Sequence, residues 1–378
     1  MPDAGGLTGD PEWIGDPAAV EGLLTGLGFR AEVATALAES ARALTDRPEG
    51  VRRLAASAKR WFCDRSQLLD PADLALGEAL AVVSTFPAAI ERHRRMGVSR
   101  DITSATLLDL QRWIDDFRAR NAAWGFTLAP WLWNHVTGEL FEIEGLQFAP
   151  GCWNVPFVVY RAGDHLVTLA ADGLFLDDGG YPRKNAPGAR ACLDETPGAI
   201  RGFPVDPGSG AVTLRETRLP RDARRILGSR DPVLNLHLPA GADLTRSNCL
   251  LSFEKAMEFF ARHFPEPGAR TIICTSWLLD RELEKVLPAR SRIVEFGRMF
   301  FPMAVPDADD AQLVERVLSA APGRETSLQR NIHRHRAAGG RFRLTSGFLP
   351  PETLESRRLQ CGTVIESPPS TTSSVPVM

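Results

Sequence analysis

The chain has 378 residues, and its 44 Lys and Arg against 47 Asp and Glu give a formal net charge of −3. This balance argues against a nucleic-acid partner, because the neutralisation of phosphates requires a basic excess or a basic block. Hydrophobic residues make up 44% of the chain and charged residues 24%, which are ordinary globular values. The length predicts two folded domains.

The six cysteines form no C-x-x-C pair and no metal-ligand spacing, which favours free thiols in a reducing cytosol and no metal cofactor. The first residues contain no charged region followed by an apolar stretch, so a secretory signal is not expected. The longest low-charge run, residues 79–90, is too short to span a bilayer and contains a proline. We therefore expect a cytoplasmic protein with no membrane partner.

Residues 16–124 are typical of helices, since their apolar residues recur every three or four positions. The clearest case is 107–117, where the apolar residues form one stripe. Asp16-Pro17 and Asp70-Pro71 each place a capping oxygen before a proline, which is typical of a helix start. The sequence predicts a helical N-terminal domain of about five helices over residues 1–135.

Near residue 138 the period of the apolar residues changes from about 3.6 to 2, which predicts strands. Strands are predicted at 139–148, 157–161 and 165–170. Pro, Gly and Asp crowd residues 177–210, which predicts a long irregular excursion or a weakly formed hairpin region. From residue 232 strands alternate with helices. The fold class is therefore α+β, with a second domain over residues 136–350 and a low-complexity, disordered tail over 351–378.

The segment that begins at Asp231 carries the first candidate site. In an extended strand the alternate leucines share one face, which leaves Asn235 and His237 together on the other. Pro239 has no N–H, so pairing with a neighbouring strand is expected to end just past His237. A His beside the opening of a sheet is a candidate catalytic residue, and the alternative is a His that serves only packing or hydrogen bonding.

The helix predicted to begin near Thr245 carries the second candidate site. Its first turn has no acid to offset the positive end of the helix dipole, and an added Arg would suit a bound phosphate. Helices without N-terminal acids are also common by chance. The predicted ligand-binding residues of this strand, turn and helix are Leu238, Ala240, Gly241, Ala242, Arg246, Ser247 and Asn248.

Several blocks of the sequence resemble one known family. They are W-L-W-N-H-V-T-G-E-L-F-E-I-E-G-L-Q-F at 131–148, D-P-V-L-N-L-H-L-P-A-G at 231–241, F-F-A-R-H-F-P at 259–265, S-W-L-L-D at 276–280 and T-S-L-Q-R at 326–330, with A-G-G-R at 338–341. Together they resemble the bacterial two-domain N-acyltransferases, whose helical N-terminal domain precedes a domain of the GNAT acetyltransferase type. Relatives include enzymes that attach fatty acyl groups to the aminosugar of lipoglycopeptide antibiotics.

This resemblance implies a GNAT-like mixed, mainly antiparallel sheet flanked by helices, and acyl transfer from acyl-CoA, as co-substrate, to a small-molecule amine. In such folds the pantetheine lies where two central strands part, and its pyrophosphate lies over the turn and helix start. The resemblance implies that the strand ending at His237 and the helix from Thr245 are these two pieces here, and that 271–278 is the next strand. Backbone N–H groups freed by the parting would stabilise the oxyanion.

The resemblance also implies catalytic roles. A His can take the proton of the attacking amine, and the His of this block in the family makes His237 the expected general base. Asn235 would orient the ring or the substrate. The chain lacks the tyrosine that many relatives use as general acid, and Ser276 is the nearest hydroxyl, although a structural turn is an equal alternative.

Several questions stay open at this point. A non-catalytic module that binds acyl-CoA or another metabolite is the alternative function, because the tyrosine is missing and the phosphate loop is degenerate. The sequence leaves open the acyl chain length, the acceptor amine and the oligomeric state.

His333 and His335 are not expected to bind a metal, since residues two apart on a helix do not face each other.

Overall fold

The computed structural model describes residues 11–184, 188–196, 198–266, 268–318 and 326–353. A helical N-terminal part is followed by a part built on a mixed sheet with flanking helices, which confirms the predicted α+β class. The last helix of the first part ends at Val136 and the first strand begins at Phe141. The predicted tail lies outside the described residues from residue 354 onward.

Eight α-helices occupy the described N-terminal part after a short 3-10 helix at Pro11–Gly15, against about five helices predicted. Asp16 caps the first one as predicted, since its Oδ1 accepts a 3.0 Å hydrogen bond from the Ala18 N–H. The prediction at Asp70-Pro71 is wrong: Ala72 and Asp73 have φ of +50° and +60°, which a helix cannot contain. The helices are α1 Pro17–Gly26, α2 Ala31–Thr45, α3 Pro48–Cys63, α4 Gly77–Ser84, α5 Phe86–Arg95, α6 Arg100–Leu107, α7 Asp109–Asn121 and α8 Ala129–Val136.

The described residues of the second part contain short strands and four further α-helices. The predicted strand at 139–148 is two strands, because Glu144 and Gly145 both have positive φ and form a turn between them. The strands are β1 Phe141–Ile143, β2 Leu146–Cys152, β3 Phe157–Ala162, β4 His165–Ala170, β5 Phe175–Leu176, β6 Pro182–Arg183, β7 Ala189–Arg190, β8 Asp194–Thr196, β9 Ala199–Gly202, β10 Thr217–Leu219, β11 Arg224–Leu227, β12 Pro232–His237, β13 Ile272–Ser276, β14 Phe301–Ala304 and β15 Thr345–Phe348. The helices are α9 Arg246–His263, α10 Arg292–Gly297, α11 Ala311–Leu313 and α12 Ser327–Ala337.

Six strands form the main sheet in the order β1-β2-β12-β13-β15-β14. β12 and β13 run parallel and are joined through α9, as a parallel pair requires a crossover, and the other neighbours are antiparallel. Three small three-stranded sheets accompany it, and β6 to β9 lie within the predicted excursion over 177–210.

The predicted leucine face of β12 is buried against α9. Leu234 and Leu236 are 1% and 3% exposed and belong to a core that includes Phe253 and Phe260 of α9. The opposite face of the strand is left for Asn235 and His237, as alternation requires. Among the described residues, none of the helices is long and apolar enough to cross a bilayer.

Replacing Phe253 with alanine tests this packing. The ring is fully buried between Phe148 and Phe300, at centroid distances of 6.4 and 5.8 Å. We expect F253A to lower the free energy of unfolding by about 3–5 kcal/mol in urea denaturation. The control is L214A, at a residue that is 43% exposed, which should change stability by less than about 0.5 kcal/mol. Equal stability of the two variants would contradict the assignment of Phe253 to the core.

Candidate functional site

The sheet opens between its two parallel strands. β12 and β13 pair from Leu234 with Ile272 to Leu236 with Cys274, and the pairing then stops. On its other edge β12 stays paired with β2 as far as His237, which lies opposite Gln147. The opening therefore begins one residue before the position predicted from Pro239.

The opening leaves a backbone donor free. Along β12 the N–H groups of even-numbered residues point toward β13, as the 2.9 Å bond from the Leu234 N–H to the Thr271 carbonyl indicates. The next donor past the paired region on that edge is the N–H of Leu238, which has no hydrogen-bond partner among the described residues. An unpaired N–H in an open sheet can bind an oxygen of a ligand.

His237 lies beside this opening with an unbonded ring. The imidazole is half-buried and packs edge-on against the indole of Trp131 in α8, with ring centroids 4.9 Å apart. Burial, and secondarily the proximity of His135, lowers the pKa of His237 to about 4, while Asp109 acts in the opposite direction. Within the described part of the chain neither ring nitrogen of His237 makes a hydrogen bond. At neutral pH the ring is therefore uncharged and able to accept a proton.

A buried carboxylate from the helical part lies behind the Trp131 indole that covers His237. Asp109 of α7 is 2% exposed and has polar neighbours from α7, α8 and β2. Its oxygens accept hydrogen bonds from Trp113 Nε1 at 2.9 Å, Trp131 Nε1 at 3.0 Å, Gln147 Nε2 at 2.8 Å and Arg112 Nη1 at 3.2 Å. Asp109 thereby holds Trp131, which covers His237, and Gln147, which lies opposite His237 on β2.

His135 completes this buried group. Its Nε2 lies 3.2 Å from Asp109 Oδ2, close enough for an ion pair although not aligned for a hydrogen bond. Burial by itself would raise the pKa of Asp109, but His135, Gln147 and Arg112 together hold it well below its usual value. Asp109 is therefore a carboxylate at neutral pH.

Asn235 lies on the face of β12 predicted for it. A Cβ placed on Gly151 of β2 would come within 2.0 Å of Asn235 Nδ2, so the glycine provides the space that the amide fills. The role of Asn235 toward His237 or a substrate stays a prediction.

Ser276 lies on the opposite face of the sheet from His237. Cys274, two residues earlier, packs in the core under the leucine face, and strand alternation gives Ser276 the same side. Ser276 Oγ accepts a 3.2 Å hydrogen bond from the Leu278 N–H and so caps the turn that follows β13. Its catalytic role stays a prediction, and this contact is the one expected of a structural turn.

The predicted phosphate-binding segment forms a tight loop and a helix start. Gly241 has a φ of +78°, and no atom lies within 4 Å of a Cβ placed on it. α9 begins at Arg246 without a side-chain cap from Thr245 and without an acid in its first turn. Arg246 and Ser247 are exposed, whereas the Asn248 amide donates to the Asp243 carbonyl at 3.0 Å.

An acid not considered in the sequence analysis lies near this helix start. The Asp243 carboxylate accepts bonds from the N–H and the hydroxyl of Thr245, each at 3.0 Å, and lies 3.5 Å from Arg292 Nη1. The loop is thus stabilised by its own side chains, and Asp243 is partly neutralised by the arginine.

Two cavities lie away from His237. One of about 470 Å³ is lined by Tyr181, Asp280 and Lys285, and one of about 240 Å³ by Trp113 and Arg316. Neither contains residues of β12, so the opening of the sheet, with its free donor and unbonded imidazole, is the better candidate site. In the described ranges no group of three or more His, Cys, Asp or Glu is arranged to hold a metal ion.

Comparison with known proteins agrees with this architecture. The profile of the GNAT-like C-terminal domain matches residues 140–349, and that of the N-acyltransferase N-terminal domain matches residues 18–138. The chain belongs to the two-domain N-acyltransferase family. It is therefore an acyltransferase, and the resemblance drawn from the sequence is confirmed.

Solved structures support the fold of this acyltransferase. It is similar to an acyltransferase mutant in complex with octanoyl-CoA and to an acyltransferase in complex with decanoyl-CoA, each with 20% identity, a TM-score of 0.58 and 88% of both chains covered. An acyltransferase in complex with decanoyl-CoA and teicoplanin has 19% identity and a TM-score of 0.50, with 88% of this chain and 99% of that chain covered. Among proteins of curated function, none matches the sequence.

The contribution of the helical part was not expected from the sequence, which singled out neither Asp109 nor His135 and Trp131 as site residues. The one available signal was an acid at the first position of an amphipathic helix, which a helix dipole alone would explain. The group forms only when α7, α8 and β2 come together.

The depressed pKa of His237 predicts how stability depends on pH. The ordinary pKa of a histidine is 6.5, and that of His237 in the folded protein is about 4. As the pH falls between these two values, His237 is protonated in the unfolded chain and stays neutral in the folded protein, so the free energy of unfolding decreases. We expect H237Q to make the decline of unfolding free energy shallower by about 1.4 kcal/mol per pH unit in this window. Urea denaturation at several pH values measures it.

The pH range above about 7 provides the internal control, since the ring is neutral there in both folded and unfolded states and the two proteins should give parallel curves. Parallel curves between pH 6.5 and 4 as well would contradict the depressed pKa of His237.

Proposed function

We propose that this acyltransferase moves an acyl group from a CoA thioester to an amine of a small molecule, with His237 as the general base. The observation that carries the proposal is the unbonded, uncharged imidazole of His237 beside the opening where the Leu238 N–H is free. The acyl-CoA ligands of the similar solved acyltransferases support a CoA thioester as the donor.

The chemistry divides between two groups of the opening. The imidazole of His237 takes a proton from the amine as its nitrogen attacks the thioester carbonyl, because an ammonium has no free electron pair. The carbonyl oxygen becomes an oxyanion and accepts a hydrogen bond from the Leu238 N–H, a fixed donor that needs no reorientation. Both groups lie at the end of one strand, so a single bound thioester can meet them together.

The helix start of α9 would hold the phosphates of CoA. Its first N–H groups are uncapped, Arg246 and Ser247 are exposed, and the loop with Gly241 allows close approach to the backbone. Ala240, Ala242 and Asn248 form the rest of this segment. The dipole and the arginine both favour a bound anion.

The acceptor would approach from the side of the helical part. The wall over His237 is Trp131 of α8, so a substrate amine that reaches the imidazole also meets residues of that part. The similar acyltransferase in complex with teicoplanin supports an amine on a small molecule of the glycopeptide type as a first acceptor to test.

Replacing His237 tests the general base. We expect H237A to lower kcat by about two to four orders of magnitude, because the amine loses its proton acceptor, and to leave the affinity for CoA nearly unchanged. The assay follows release of free thiol from octanoyl-CoA and decanoyl-CoA with a panel of amines that includes a deacylated teicoplanin.

The matched control for this test is H165A, at an exposed histidine at the start of β4, which should retain full activity. Binding of CoA by the unmodified protein without turnover of any amine, and unchanged by H237A, would favour a non-catalytic binding module and overturn the enzyme mechanism.

Reversing a charge at the α9 start tests the phosphate site. We expect R246E to weaken CoA binding about tenfold, measured by calorimetry at low salt, because it places a negative charge beside the pyrophosphate and opposes the helix dipole. The control is R262E, which changes an exposed arginine in the last turn of the same helix. Equal affinities of the two variants would exclude the start of α9 as the phosphate site.

A further inference from the structure

A hydroxyl not considered in the sequence analysis lies on the same face of the sheet as His237. Asn235 pairs with Ile273 across the two parallel strands, so Ile273 and the residue two positions later share the face of Asn235 and His237. That residue is Thr275. Continuing the register past Leu236 and Cys274 brings Thr275 level with His237, across the opening.

Thr275 is exposed although it lies in a central strand. β13 has β12 on one side and β15 on the other, and the neighbouring residues Cys274 and Ser276 are both buried. The exposure of Thr275 follows from the parting of β12, which stops pairing after Leu236. Its side chain is thus accessible to whatever occupies the opening.

A second hydroxyl supports Thr275 from behind. Ser346 of β15 lies directly opposite, is 2% exposed, and its Oγ is 2.6 Å from Thr275 Oγ1. A hydroxyl has one hydrogen to donate and two lone pairs to accept. When the buried Ser346 hydroxyl donates to Thr275, the hydrogen of Thr275 is free to point into the opening.

We propose that Thr275, polarised by Ser346, donates a hydrogen bond to the sulfur of CoA as the thioester bond breaks. This inference rests on the proposed function. A bond forms between the amine nitrogen and the carbonyl carbon, and the amine proton passes to His237. The carbon–sulfur bond then breaks, and its electron pair leaves with sulfur as a thiolate that Thr275 stabilises. The thiolate takes its proton from the His237 imidazolium or from solvent, which yields the amide and free CoA.

The surroundings make Thr275 the donor suited to this position. β13 and β15 carry no charged side chain, and Cys274 faces the opposite side of the sheet. His237 is the titratable group at this end of β12, and the buried His135 and Asp109 behind Trp131 act on its pKa in opposite directions. A neutral donor across from the base stabilises the thiolate without adding a charge that would affect the base.

The test measures the acidity of the CoA thiol bound to the protein. Thiolate absorbance is followed against pH in the complex with CoA, and the complex with desulfo-CoA is the matched control that subtracts the cysteines of the protein. We expect the bound thiol to have a pKa about one unit lower in the unmodified protein than in T275V, which removes the hydroxyl and keeps the shape. With T275S the pKa of the bound thiol should equal that with the unmodified protein. With S346A it should lie between the values for the unmodified protein and T275V.

The outcomes separate this inference from the proposed function. Loss of the pKa difference, with CoA bound by both proteins, would overturn the role of Thr275 and leave the acyl transfer intact. Failure of the unmodified protein to bind CoA would overturn the proposed function and this role with it. T275A provides the same comparison if T275V does not fold. In turnover of an active amine, T275V should lower kcat about tenfold with little change in KM.

Discussion

The parting of two parallel strands is the constraint on which the site depends. β2 holds β12 through His237, while pairing with β13 ends at Leu236. Pro239 cannot donate to a ladder, and by the alternation along β12 its position faces β2, where the pairing ends at His237. Three consequences arise from this geometry: the Leu238 N–H is free, His237 lies at an opening, and a threonine in a central strand is accessible. A continuous sheet would have satisfied the donor and buried both side chains.

The second requirement is the burial of a charge between the two parts of the chain. An isolated carboxylate removed from water is costly, and Asp109 is compatible with folding only because donors from α7, α8 and β2 surround it. Arg112 reinforces the same junction by bonding Glu142 of β1, with one pair of atoms 2.7 Å apart. The junction is therefore specified by polar geometry as well as by apolar packing, and it fixes Trp131 over the imidazole.

The sequence was sufficient where the determinants are local. The cap at Asp16, the two faces of β12 and the uncapped start of α9 follow from residues within a few positions of one another. The expectation at Asp70 failed because the next residues adopt positive φ, which no local pattern signals. The group around Asp109 was beyond prediction for another reason. Its members lie up to 38 residues apart and belong to different elements, so only the tertiary fold brings them together.

The origin of the Trp131 indole has an evolutionary consequence. The strand that carries His237 and the indole that covers its ring are encoded in different parts of the chain. Substitutions on α8 can therefore change the basicity of the imidazole while the strand stays as it is. If His237 is the base, as we propose, exchange of the helical part between relatives would change the indole surface beside the opening and the proton affinity of His237 together.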